Sequence, residues 1–379
     1  MEAGNNQYTA GIQQVEEKLL DFLRTIETHQ EKMFVSRLAE QNAQLQDAVG
    51  ELFGGLKTDL SNLAALSPPG GLQDFHEKFT KAIEHCANSY RFFLLFTGQE
   101  SGMDFLKGRH ELCLGKHLLY ELRAELPILQ QYWVLPDALP SLAALETRTP
   151  GLEVPVGMMR TEREDSRSAY SLYVPENYTP QKQWPLIVCL HSGYSRDDDY
   201  ILTWLRAAKS KGYMVLSPKS NRETWSAIRL PGIAPNPALD RRSIRMMLEE
   251  VWQTYAVDRS RIYLTGFSDG GIFTYVLGLA YADLFAGIAP VSGRIHPAVD
   301  HLIRRGQGKD LPILIVHGGR DPIFPIEVTR QVKDVFVKLG YDVTYQELPD
   351  WGHAYPYSIN ETIVLPWFEG LGAKSKSPA

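Results

Sequence analysis

Ile262-Tyr263-Leu264-Thr265-Gly266-Phe267-Ser268-Asp269-Gly270-Gly271 decides the reading of this chain. The first four residues are apolar or β-branched, as in a strand, and a helical pattern takes over around Phe273. Between them lies G-x-S-x-G. A serine there sits on a sharp strand-to-helix turn, with glycines two positions either side letting strand and helix pack closely. The turn lifts the hydroxyl above the sheet edge and leaves the start of the following helix beside any anion that forms. Ser268 is therefore the candidate nucleophile. A structural glycine-rich turn is the bland alternative.

An elbow serine is inert without a base to take its proton and a carboxylate to orient that base. Downstream, Leu311-Pro312-Ile313-Leu314-Ile315-Val316 is an apolar strand leading into His317-Gly318-Gly319-Arg320-Asp321, so Asp321 falls at a strand's carboxyl end. Leu348-Pro349-Asp350-Trp351-Gly352-His353 follows another strand and sets His353 in a loop. Functional groups in open α/β sheets collect at that edge. Rivals weigh less: Asp310 precedes its strand, while Glu347 and Asp350 stand too close to His353, leaving Asp350 at most a supporting carboxylate. His317 suits a packed strand-end histidine, and His296 and His301 are alternative bases.

The strand Leu186-Ile187-Val188-Cys189-Leu190 runs into His191-Ser192-Gly193-Tyr194. An oxyanion hole needs two main-chain N–H donors. They are expected from Asp269, directly after the serine, and from Gly193, with Tyr194 as the alternative. His191 is read as a loop-stabilising residue and Cys189 as a small buried hydrophobe. Tyr194, Trp225, Phe267, Phe324, Trp351 and Tyr355 flank these motifs as candidate substrate walls, though each would equally serve as packing.

Around these motifs, short strands alternate with helices from about residue 152. Expected strands are 170–174, 186–190, 213–216, 262–265, 286–291, 313–316 and 343–348, with helices at 242–255, 273–279 and 327–339. This is an α/β arrangement with a mainly parallel sheet, whose most apolar strands are covered on both faces. The Arg241, Arg242 and Arg245 stretch reads as a solvated helix face.

The first part differs. Ile12, Val15, Leu19, Phe22 and Ile26 step by three and four, as do Phe34, Leu38, Leu45, Val49 and Leu52, and then Phe75, Phe79, Ile83, Cys86, Tyr90 and Phe93. That spacing predicts a bundle of about four helices, all-α, with no catalytic spacing in it. Gly54-Gly55 is expected to end the second helix, and Ser67-Pro68-Pro69-Gly70-Gly71 to break the chain. The expected organisation is a helical domain over 1–134 (a lid or an oligomerisation module), a linker over 135–151, a catalytic α/β domain over 152–372 and a frayed tail over 373–379.

Bulk properties bound the function. The chain has 379 residues, with 39 Lys+Arg against 45 Asp+Glu and a net charge of −6, which disfavours nucleic acid as a partner. Cys86, Cys113 and Cys189 are too few for a disulfide framework. His110 and His117 are joined by no acidic residue at metal-ligand spacing, so no metal is expected. The Tyr90–Phe96 run is far too short to span a bilayer. Met1-Glu2-Ala3-Gly4-Asn5-Asn6 lacks a basic-then-apolar leader, so a cytoplasmic location is expected.

Tyr170-Ser-Leu-Tyr-Val-Pro175, Asp258-Arg-Ser-Arg-Ile-Tyr-Leu-Thr-Gly-Phe-Ser-Asp-Gly-Gly271, His317-Gly-Gly-Arg-Asp-Pro322 and Gly352-His353 resemble the α/β-hydrolase superfamily. Within it they are most similar to the esterase branch: polyhydroxybutyrate-depolymerase-like and feruloyl-esterase-like enzymes and the carboxylesterase/phospholipase group. The resemblance implies a Ser268–His353–Asp321 triad, no cofactor, and hydrolysis of small-molecule carboxylic esters through an acyl-enzyme. Ser192 departs from the pattern, standing where a glycine is usual. The helical part inherits nothing, and its amphipathic faces fit a homodimer contact as well as a lid. A peptidase with the same triad and an inactive hydrolase-fold scaffold are the competing readings.

Overall fold

Four helices account for most of the first 142 residues of the computed structural model: α1 (Glu2–Lys32), α2 (Leu38–Ala64), α3 (Gln73–Leu95) and α4 (Gly102–Glu121). The structure describes residues 2–32, 38–65, 67–95, 102–161, 169–354 and 357–371. Phe34, Tyr355 and the tail 373–379 lie outside them. The face expected on α1 is the buried one: Ile12, Val15, Leu19, Phe22 and Ile26 are all inside, as are Phe79, Ile83, Cys86, Tyr90 and Phe93 on α3. Each fully buried side chain of this size contributes about 1.5–3 kcal/mol. α2 does not stop at Gly54-Gly55 but continues to Ala64. Two helical glycines cost about 1 kcal/mol each, and burial of Val49, Leu56 and Leu63 on one face outweighs them. The break comes instead at the Pro68-Pro69 turn.

The chain divides into two compact units between Leu142 and Ala143. The boundary falls inside the expected linker, which is not extended: it holds a 3-10 turn, Pro136–Ser141, and a short helix α5, Leu142–Glu146.

Among the described residues the second unit is built on eight strands, β1 (Gly157–Arg160), β2 (Tyr170–Val174), β3 (Trp184–Leu190), β4 (Met214–Pro218), β5 (Val257–Phe267), β6 (Gly287–Val291), β7 (Ile313–Gly318) and β8 (Val343–Leu348). They form one sheet in the order β1-β2-β4-β3-β5-β6-β7-β8. β2 runs antiparallel to both its neighbours, β1 and β4, and every pair from β4 to β8 is parallel. The helices are α6 (Asp197–Lys211), α7 (Ala238–Thr254), α8 (Asp269–Ala280), α9 (Pro297–Arg304), α10 (Ile326–Lys338), α11 (Tyr357–Ile359) and α12 (Leu365–Gly370). Ile187, Val188, Leu264, Ile288, Ile313 and Val316 are fully covered, as expected of parallel strands with helices on both faces.

The sequence pattern missed β1, α6 and the shorter helices α9, α11 and α12. α6 opens with Asp197, Asp198 and Asp199, all buried, where carboxylates complement the positive end of a helix. Ser171 Oγ donates to Asp197 over 2.8 Å, and Arg160 Nη1 donates to Asp198 over 2.6 Å. Burial, reinforced by Asp198, pushes the Asp197 carboxyl up from its ordinary value.

Candidate active site

β5 delivers Ser268 and α8 begins one residue later. Ser268 has φ 59° and ψ −120°, in the region disfavoured for side-chain-bearing residues. Its N–H donates to the Val291 carbonyl over 3.0 Å, and its own carbonyl accepts from Ile272, so the turn is held from both sides. Gly270 is required for this approach, because a Cβ there would overlap the Leu190 carbonyl.

The three residues singled out by strand position meet. The Ser268 hydroxyl and His353 Nε2 are 2.8 Å apart, and His353 Nδ1 lies 2.7 Å from Asp321 Oδ2. With Asp321 ionised, Nδ1–H is the donor to it, which leaves Nε2 to accept from the serine. The second oxygen, Oδ1, accepts the Ile323 and Phe324 N–H groups, each over 2.8 Å. His317, buried, brings Nε2 to 2.9 Å from the Phe324 carbonyl and 3.3 Å from Asp321 Oδ2, while its Nδ1 pairs with the Thr329 hydroxyl at 3.0 Å. Burial alone would raise the Asp321 carboxyl. The hydrogen bonds from His317 and His353, the His353 charge and the Phe324 amide outweigh it and hold the acid well below the usual carboxylate range. Phe267 and Phe324 flank the His353 ring, at centroid distances of 4.8 and 5.4 Å.

The oxyanion loop follows β3. Gly193 packs directly on the Asp269 carboxylate, which a Cβ at 193 would overlap, so this glycine lets the two candidate donors approach. The N–H of Tyr194, the alternative donor, is bonded to the Glu223 carbonyl over 2.6 Å. His191 behaves as a loop residue. Its Nδ1 faces the Ser192 carbonyl at 2.8 Å, and its Nε2 accepts the Ser220 N–H at 3.1 Å. Burial pushes its pKa down.

Trp225 is a correction. It is fully buried, stacks on Phe273 at 5.0 Å and donates its indole N–H to the His191 carbonyl over 2.8 Å, so it lines no substrate path. Phe267 is likewise buried, against the base. Tyr194 is exposed, and Phe324 and Trp351 are half-buried. Asp350 pairs with Arg320 over 2.8 Å at the surface. Thr224, whose hydroxyl donates to Asp269 Oδ2 over 2.6 Å, was missed, because a lone loop threonine carries no spacing signal. Among the described residues no group of His, Cys, Asp and Glu is arranged to hold a metal, and no helix is long and apolar enough to cross a membrane. All three cysteines are buried and lie outside any disulfide.

A mainly parallel sheet, a serine at positive φ between β5 and α8, and the chain order serine, aspartate, histidine at the strand ends together decide the fold. The second unit has the α/β-hydrolase fold. A family model described as Phospholipase/Carboxylesterase matches residues 241–363 of this α/β-hydrolase unit. The chain is 30% identical over 157 residues to a bifunctional acetylxylan esterase/xylanase of Neocallimastix patriciarum, covering 40% of this chain and 21% of that protein. It is 28% identical over 176 residues to a probable feruloyl esterase C of Aspergillus terreus, covering 45% and 60%. Acyl-protein thioesterase 1 of Gibberella zeae is 31% identical over 105 residues, covering 27% and 45%. The chain thus spans between about a fifth and three fifths of the length of these relatives.

Proposed function

We propose that this protein is a serine esterase that hydrolyses carboxylic esters of small molecules at Ser268 through an acyl-enzyme. The observation carrying the reading is the unbroken hydrogen-bond chain from Ser268 through His353 to a buried, ionised Asp321. Similarity to esterases of three descriptions supports the ester bond as the target.

Ser268 Oγ attacks the ester carbonyl while His353 Nε2 takes its proton. Asp321 holds the imidazole in the required tautomer and stabilises the imidazolium. The tetrahedral anion is received by the Gly193 and Asp269 amides, each worth about 3 kcal/mol. His353 then protonates the departing alcohol. In the second half it activates a water, which releases the acid and restores the serine.

The test is hydrolysis of p-nitrophenyl esters together with labelling by a fluorophosphonate probe. Wild type is expected to turn over the esters and to be labelled, and Ser268→Ala to do neither while keeping the wild-type circular dichroism spectrum. Ester turnover by Ser268→Ala at the wild-type rate would overturn the reading. Anilide substrates run alongside decide against a peptidase if they are cleaved far more slowly than the matching esters. A wild-type protein inert toward probe and esters alike would favour the scaffold reading.

A further inference from the structure

Three consecutive residues of the loop joining β4 to α7 each grip a different part of the oxyanion site. The Glu223 carbonyl accepts the Tyr194 N–H at 2.6 Å, the Thr224 hydroxyl donates to Asp269 Oδ2 at 2.6 Å, and the Trp225 indole donates to the His191 carbonyl at 2.8 Å. The Trp225 ring also stacks on Phe273 of α8. One side of the brace is thus the loop 191–194, which carries the Gly193 amide. The other is the first turn of α8, which carries the Asp269 amide. The loop is itself anchored: buried Asp240 accepts from the Asn221 main chain at 2.9 Å, from the Asn221 side chain at 2.6 Å, and from the Ser226 N–H. These anchors stand on either side of the tripeptide.

The Asp269 carboxylate makes this brace consequential. It carries a negative charge beside the two amides that would receive a developing oxyanion, and like charges in a partly dry site repel strongly. The carboxylate is lodged against Gly193, with the Thr224 hydroxyl 3.6 Å from where a Cβ at 193 would sit. Among the described residues, the side chain that hydrogen-bonds it is Thr224. Released, the carboxylate would be free to turn toward the oxyanion, and the spacing of the two amides would no longer be fixed.

We propose that Thr224 is a positioning residue for hydrolysis at Ser268, fixing the Asp269 carboxylate against Gly193 and so holding the two oxyanion amides in register. The proposal rests on the serine-esterase reading. It concerns the transition state alone, since the oxyanion exists only there and in the tetrahedral intermediates.

The experiment compares wild type with Thr224→Val, which keeps the shape and removes the donor, and with Thr224→Ser, which keeps the donor. Misplacing oxyanion donors by a fraction of an ångström to 1 Å costs on the order of tenfold to hundredfold. Thr224→Val is expected to lower kcat by about that factor with KM within about threefold, and Thr224→Ser to recover most of it. A trifluoromethyl ketone, which adds Ser268 to become a tetrahedral oxyanion, should lose affinity for Thr224→Val by the same factor as kcat/KM. Inhibition by the carboxylate product should not move. Wild-type kcat in Thr224→Val overturns the proposal, as does an equal loss of ketone and product affinity. If Thr224→Val does not fold, Thr224→Ala is held to the same split. A wild type that hydrolyses no ester sinks the esterase reading, whereas an active wild type with an equally active Thr224→Val sinks only this one.

Discussion

The two units bury polar groups for different ends. In the helical unit, Lys116 Nζ lies 2.6 Å from Glu27 Oε1, both are buried, and the Tyr132 hydroxyl donates to the same oxygen at 2.9 Å. Buried Glu16 accepts the Ile128 and Leu129 N–H groups. These contacts join residues about a hundred positions apart and hold helices together. In the α/β-hydrolase unit the buried acids Asp321 and Asp240 instead sit at strand ends or beneath loops and aim other groups. Two glycines show the same contrast. Gly54 faces open space inside a helix, whereas Gly270 has the Leu190 carbonyl where its side chain would be. Lys116–Glu27 and Gly54 therefore belong to helix packing, whereas Asp321, Asp240 and Gly270 shape the candidate site.

Substitutions on both sides can break this contrast. The largest effect is expected at Ser268→Ala, with kcat down on the order of 10⁶-fold in steady-state assays and the thermal midpoint little changed. Asp321→Asn should cost about 10⁴-fold by leaving His353 in the wrong tautomer; a loss under tenfold would mean that another group orients the base. The same pair of proteins tests the linkage. Asp321's folded pKa is depressed, so its stabilisation is complete above the ordinary carboxylate pKa of about 4 and fades as pH falls below it. In urea titrations the stability advantage of wild type over Asp321→Asn should narrow from pH 6 to pH 3; a constant or widening gap contradicts an ionised, stabilised Asp321.

In the helical unit, Lys116→Met strands the Glu27 carboxylate and should cost about 3–5 kcal/mol in urea unfolding, with Glu27→Gln added on top recovering most of that. If the single substitution is neutral, the pair is not the structural clamp described here. Smallest of all, Gly54→Ala should stabilise by about 0.5–1 kcal/mol, read as a rise of a few degrees in thermal midpoint. A drop would show that something packs against that position after all.

What could be read from sequence follows the same division. β2 and β8 lie where the alternation put them, and Ser268, Asp321 and His353 meet because the carboxyl ends of the parallel strands share one edge. Position along a strand carries three-dimensional information there. α6 was illegible because its first turn is three aspartates, which read as loop until Arg160 and Ser171 are seen to partner them. Trp225 was misplaced because an aromatic near a motif looks the same whether it faces substrate or core. Thr224 and the Lys116–Glu27 pair were out of reach for one reason: their meaning lies in partners distant along the chain, and no local pattern announces them.

The second histidine beside Asp321 has a consequence for how the site tolerates disturbance. The carboxylate is satisfied from its inner side by His317 and two amides before His353 is counted. The segment bearing His353 is itself tied down, the Arg320 N–H donating to the Trp351 carbonyl over 2.8 Å, and an altered imidazole would leave no naked anion in the interior. Modification of that imidazole would therefore remove the proposed base while Asp321 kept His317 and the two amides as donors.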